Sequence, residues 1–105
     1  MRLTPAQGAM CWLLGERLPM GTPHEWSLVD IIRHGHELLV EIAKVDFGYD
    51  PQKWHDHLRA TNAGGYRYSN KHLAFPNQIA EALENQDWLL AVEQLSRAAA
   101  ARAAD

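Results

Sequence analysis

Apolar positions along the chain recur at helical spacing, and prolines mark where the helices begin. Over the segment at about 23–46, Leu28, Ile32, Gly35, Leu39 and Ile42 fall on one face of a helix, flanked by Ile31 and Leu38. Asp30, Arg33, Glu37, Glu41 and Lys44 fall on the other face, with Arg33–Glu37 and Glu41–Lys44 in pairing distance. Four of the five prolines sit where a helix should start: Thr4-Pro5, Thr22-Pro23, Asp50-Pro51 and Phe75-Pro76. Proline suits the first helical position, because its missing N–H is not needed there and its φ is already helical. Thr4-Pro5-Ala6-Gln7 and Thr22-Pro23-His24-Glu25 also match the capping box, in which the first and fourth residues satisfy each other's amides. Asp50 caps a third helix by accepting from its free amides.

Five helices are predicted, at about 5–18, 23–46, 51–61, 76–84 and 87–102. The first is apolar on every side through Met10-Cys11-Trp12-Leu13-Leu14, which suits a central helix or one shared with a partner, and it stops before Pro19 and Met20-Gly21. Gly35, in the middle of the second helix's stripe, costs about 1 kcal/mol against alanine, which close approach of another helix would offset. The third helix stops at Asn62-Ala63-Gly64-Gly65. From there Tyr66-Arg67-Tyr68 alternates like a short strand that Ser69-Asn70 would turn back through Lys71-His72-Leu73. A small β-hairpin and an irregular loop both fit at about 64–74, an isolated hairpin being marginal. Ile79, Ala82 and Leu83 face inward on the fourth helix, whereas Trp88, Val92 and Leu95 point almost the opposite way. A break near Asn85-Gln86-Asp87 repairs the phase. The last residues, 98–105, form an Ala-rich tail with high helix propensity and little to bury, which should fray. The pattern is that of an all-α protein, a compact bundle of about five helices in a single domain over 1–105.

Composition narrows the class without naming a reaction. A chain of 105 residues with 47% apolar content is long enough to bury a real core. Its single cysteine, Cys11, excludes an internal disulfide and a cysteine-rich zinc site, and a lone thiol fits a reducing compartment. The apolar run from Ala9 to Leu14 is too short for a signal-peptide core or a membrane span. The expectation is a soluble, cytoplasmic protein.

Charge changes the picture more. The chain carries a net −3, but between Lys53 and His72 four cations (Lys53, Arg59, Arg67, Lys71) face one acid, Asp56. Five of the nine aromatic residues and three of the six histidines lie between Phe47 and His72. Catalytic readings of this cluster fail on geometry. His55 and His57 in Trp54-His55-Asp56-His57 are about 200° apart on a helix and cannot share a metal ion. His57 falls beside Trp54 and Leu58 on the apolar face, whereas His55 and Arg59 should meet solvent or a ligand. Asp30, His34 and Glu37 are spaced to reach one divalent cation, but they lie on the polar face of their helix. Cys11 lies in the most apolar stretch, where a thiol loses reactivity. Gly64-Gly65 lacks the spacing and lysine of a phosphate loop. No catalytic residue, metal site or cofactor is assigned.

What remains is a recognition surface made of Lys53, His55, Arg59, Tyr66, Arg67, Tyr68, Lys71 and His72. Arginine and tyrosine are favoured at interface centres because each joins large area to a directional polar group. The expected function is that of a small non-catalytic interaction protein binding a protein partner, such as an inhibitor, an immunity-type protein or an accessory subunit. Nucleic acid or a small anionic ligand on the same patch is the alternative, opposed by the acidic remainder of the chain. A metal-dependent enzyme is a weaker third option, and a homodimer through the first helix is an open question of assembly.

Overall fold

Each of the first three helices in the computed structural model starts at a side chain that satisfies its free amides. The structure describes residues 3–17, 23–68 and 75–104, which form an all-α bundle of five helices. Helix α1 (Pro5–Leu13) is capped by Thr4, and Thr4 and Gln7 complete the reciprocal capping box that their spacing predicts. Helix α3 (Pro51–Thr61) is capped by Asp50, whose carboxylate accepts from the amides of Gln52 and Lys53. Both match the sequence expectation.

Helix α2 (Leu28–Ala43) starts later and ends earlier than expected. Pro23 to Trp26 form a turn instead, closed by the Trp26 amide donating to the Pro23 carbonyl. The Arg17 guanidinium donates to the carbonyls of Pro23 and Trp26, which occupies acceptors that a helix beginning at 23 would have used. The cap passes to Ser27, and Asp30 completes a capping box with it. At the other end Lys44 adopts a left-handed conformation and stops the helix with no glycine to announce it. Arg33 pairs with Asp30 at 3.0 Å, where Glu37 was the expected partner.

The first helix also ends early. Gly15, at φ +81°, follows Leu14 and lets the amides of Gly15 and Glu16 reach back to the carbonyls of Trp12 and Cys11. This is the paired hydrogen bonding of a Schellman stop, and it needs no help from Pro19. Trp88 Nε1 donates to the Leu13 carbonyl at 2.9 Å, satisfying another group at the same terminus.

Helix α4 (Phe75–Glu84) and helix α5 (Gln86–Ala104) are separated at Asn85, where the phase argument placed a break. Asn85 Oδ1 accepts from the Trp88 amide and so caps α5. Ile79 and Ala82 face inward, but Leu83 is nearly half exposed, which corrects the expectation that it packs in the core. The α5 backbone is helical to Ala104, two residues past the expected end at 102, with side chains exposed from Ser96 to Arg102. High alanine propensity sustains that turn-by-turn helix without packing.

At the centre lies α1. Ala6, Ala9, Met10 and Leu13 are fully buried, surrounded by Ile32, Leu39, Trp54, Leu58, Ile79 and Trp88. Each large side chain sealed there contributes about 1.5–3 kcal/mol over its exposed state. Most of the apolar circumference of α1 is therefore covered by its own chain, with Trp12 half-buried. Gly35 explains how closely α2 can lie on it: a Cβ there would stand 2.3 Å from the Leu13 nitrogen and 2.8 Å from the Ala9 oxygen. The glycine's propensity cost is offset by backbone-to-backbone packing, as the stripe implied.

Candidate functional site

The predicted recognition surface is built on α3 and on the turn that follows it. Asn62, in the left-handed region, ends α3, and Ala63–Gly65 make a short 3₁₀ turn. Gly64 and Gly65 both have positive φ and press on the start of α1: a Cβ on Gly64 would come within 2.9 Å of the Ala6 Cβ, and one on Gly65 within 3.2 Å of the Thr4 Cγ2. Residues 66–68 continue as turns, so the strand-like alternation of Tyr66-Arg67-Tyr68 does not become a strand. The reason is local, since two consecutive left-handed glycines and the Asn62 side chain curl the backbone instead. Asn62 Oδ1 accepts from the Arg67 amide at 2.8 Å. The rest of the expected hairpin, with Lys71 and His72, lies outside the described residues.

A single side chain from α1 holds this turn. Gln7 is buried, and its Nε2 donates to the carbonyls of Tyr66, at 3.3 Å, and Tyr68, at 2.7 Å. Its Oε1 accepts from the Thr4 amide in the capping box. Gln7 thus does two jobs, one for the helix terminus and one for the turn after α3. The first was legible from its spacing to Thr4. The second depends on a partner 59 residues away and left no sequence signal.

Two of the predicted contact residues belong to the interior. His55 is 7% exposed and Tyr66 5% exposed, and His55 Nδ1 shares a 2.5 Å hydrogen bond with the Tyr66 hydroxyl. Tyr66 stacks on Phe75 with ring centroids 5.2 Å apart and planes 13° from parallel. Burial holds the His55 imidazole below the ordinary histidine range, with the Arg59 charge adding to the effect, and pushes the Tyr66 phenol up. The expectation that His55 meets solvent is corrected by the true centre of the α3 inner face, which runs through Pro51, Trp54, His55 and Leu58. His57 sits at the edge of that face, half-buried against Phe47 with ring centroids 5.1 Å apart, in keeping with the partly buried position expected beside Trp54 and Leu58.

Lys53, Arg59, Arg67 and Tyr68 are exposed. Arg59 and Arg67 come together across the turn, lining a shallow cleft of about 330 Å³ with Asp56 and Ala60. Neither guanidinium makes a hydrogen bond or ion pair among the described residues, whereas Asp56 is held by Gln52 Nε2 at 3.0 Å. Lys53 is displaced by about 120° around α3 from Arg59 and does not line the cleft. Tyr68, 65% exposed, is the most open of the large apolar or aromatic side chains described. Such a surface offers forked N–H donors, one carboxylate and an aromatic face.

The other candidate chemistries do not assemble. Cys11 is 1% exposed and its thiol is pushed up to about 12 by burial and by the neighbouring Glu16, which makes it a poor nucleophile. Asp30 is engaged by Ser27 and Arg33, and His34 lies between the rings of Trp12 and Trp26 at 4.8 and 4.9 Å. Among the described residues no group of three His, Cys, Asp or Glu side chains is placed to hold a metal ion. None of the described helices is long and apolar enough to cross a membrane. No protein-family model, curated protein or solved structure significantly matches the chain.

Proposed function

We propose that this chain is a small non-catalytic interaction protein that binds a protein partner through the face carrying Arg59, Arg67 and Tyr68, with Lys53 at its margin. The observation that carries the reading is a pair of exposed arginines with no hydrogen bond or ion pair among the described residues, Arg59 on α3 and Arg67 on a turn tethered by Gln7 and Asn62. A rigid backbone lowers the ordering cost of association, so exposed arginine and tyrosine on it are well suited to an interface centre. The sequence continues the patch through Lys71 and His72. An inhibitor, an immunity-type protein or an accessory subunit is the class that fits. A reducing compartment such as the cytoplasm suits the single free thiol.

The nucleic-acid alternative is weakened by the placement of the tyrosines. Base stacking needs open rings, and Tyr66 is committed to Phe75, which leaves Tyr68 as the one exposed platform in the described part of the patch. A homodimer through α1 would have to use Trp12, which is half-buried, because most of the other apolar side chains of α1 are buried within one chain.

The test is affinity capture with wild type and an Arg59→Ala, Arg67→Ala, Tyr68→Ala triple variant, each checked for an unchanged helical signal. A partner retained by wild type and lost from the variant is the expected result. An identical set of retained proteins overturns the reading.

A further inference from the structure

The cleft between α3 and the turn specifies more than a basic surface. Its charged side chains are Arg59, Arg67 and Asp56, a net charge of +1. Asp56 lines the cleft and accepts a hydrogen bond from Gln52 Nε2 one turn earlier on α3, so its charge counts with those of the two arginines. A site of +1 matches a monoanion better than a dianionic phosphate or a polyanionic strand, both of which would set charge against Asp56. Its volume, about 330 Å³, lies at the low end of the range for ligand pockets, the size of a side chain end and its approach. Outside the segment Lys53–His72 the chain carries twice as many acids as Lys and Arg, twelve against six, so a broadly acidic surface would be repelled away from this one place.

We propose that Arg59 and Arg67 clamp a single carboxylate, one Asp or Glu side chain on a partner loop whose neighbouring residues are neutral or apolar and lie against Tyr68. The inference rests on the reading of this face as a protein-binding surface. Two guanidinium groups on one carboxylate supply charge-assisted hydrogen bonds with a defined direction, which a neutral amide in its place would forfeit. The acidic body of the chain then orients the encounter and leaves the cleft as the favoured landing point.

The experiment uses the full chain, labelled with ¹⁵N, and follows the guanidinium Nε–H signals of Arg59 and Arg67 by NMR. The probes are the blocked peptide acetyl-Ser-Leu-Glu-Leu-Ser-amide, its Gln counterpart, inorganic phosphate and a twelve-residue thymidine strand. Both arginine signals should shift saturably with the Glu peptide, and the Gln peptide should bind about tenfold or more weakly, the scale of a lost charge-assisted contact. Arg59→Gln and Arg67→Gln should each weaken the Glu peptide by a similar factor. Equal response to the Glu and Gln peptides, response of only one arginine, or tighter binding of phosphate or the thymidine strand would each overturn the assignment. The two readings fail separately. A partner lost from the triple variant, together with peptides that are not distinguished, sinks the carboxylate clamp alone. Glu-specific shifts with no face-dependent partner sink the protein-partner reading and leave a carboxylate site.

Discussion

His55 shows how one residue's environment inverts its role. Counted by spacing it belongs with Arg59 on the outer face, yet it is sealed against Tyr66 and Phe75 with its ring hydrogen-bonded inside. Burial lowers its pKa from the ordinary value of 6.5, and the groups around it that bear charge are Arg59, which lowers it further, and Asp56, which opposes. A histidine depressed in the folded state contributes stability that is complete above the unfolded value and is lost as pH falls below it. Wild type should therefore lose urea resistance between pH 7.5 and pH 5.5. In His55→Gln, which keeps an acceptor for the Tyr66 hydroxyl but does not titrate there, the loss should be smaller. Parallel stability curves for the two proteins would contradict the assignment of the effect to His55.

At the scale of elements, the helix pair α1 and α2 turns on two glycines of opposite meaning. Both Gly8 and Gly35 lie inside helices, and by propensity alone each would gain about 1 kcal/mol on substitution by alanine. A Cβ on Gly8 meets nothing within 4 Å, whereas one on Gly35 runs into the backbone at Leu13, Ala9 and Trp12. Backbone cannot rotate aside, so Gly35→Ala should destabilise the fold by about 2 kcal/mol or more, the overpacking cost exceeding the propensity gain. Gly8→Ala should be neutral or stabilising by up to about 1 kcal/mol. Thermal melts of the two variants decide the point, and a stabilised Gly35→Ala would refute the close crossing. The stripe containing Gly35 was legible because amphipathic periodicity survives in the fold. Helix boundaries were less legible. Gly15 carried a stop signal that Pro19 overshadowed, Lys44 stops α2 without any of the usual residues, and the Ser27–Asp30 capping box starts α2 after the carbonyls of Pro23 and Trp26 have been taken up by Arg17.

For the molecule as a whole, the division between local and long-range information explains what could be read in advance. The Thr4 capping box, the proline starts at Pro5 and Pro51 and the phase break at Asn85 act within a few residues and set most of the five-helix architecture, whereas the signal at Pro23 does not start a helix. The recognition surface depends on where distant segments meet. Tyr66 was counted as a contact because its type and neighbours favour one, but Phe75 and His55 claim it, and only the assembled bundle reveals that. Among the described residues the proposed contact surface is narrower than the charge pattern, with Arg59, Arg67 and Tyr68 around the cleft and Lys53 at its margin.

Gln7 links that cleft to a part of the molecule no partner needs to touch. Its amide group joins the first turn of α1 to the carbonyls of Tyr66 and Tyr68, so opening of either end weakens the hold on the other. Free-energy coupling of this kind is reciprocal. A ligand that immobilises Arg67 and Tyr68 must also suppress local opening at the start of α1, and hydrogen exchange measures such opening directly. The Gln7 and Gly8 amides, which donate to Thr4, should exchange several-fold more slowly in the bound state, and the effect should vanish in Gln7→Ala. Unchanged exchange on saturation would mean that the two ends open independently. If they are coupled, the N-terminal turn reports occupancy of a face that lies on another helix.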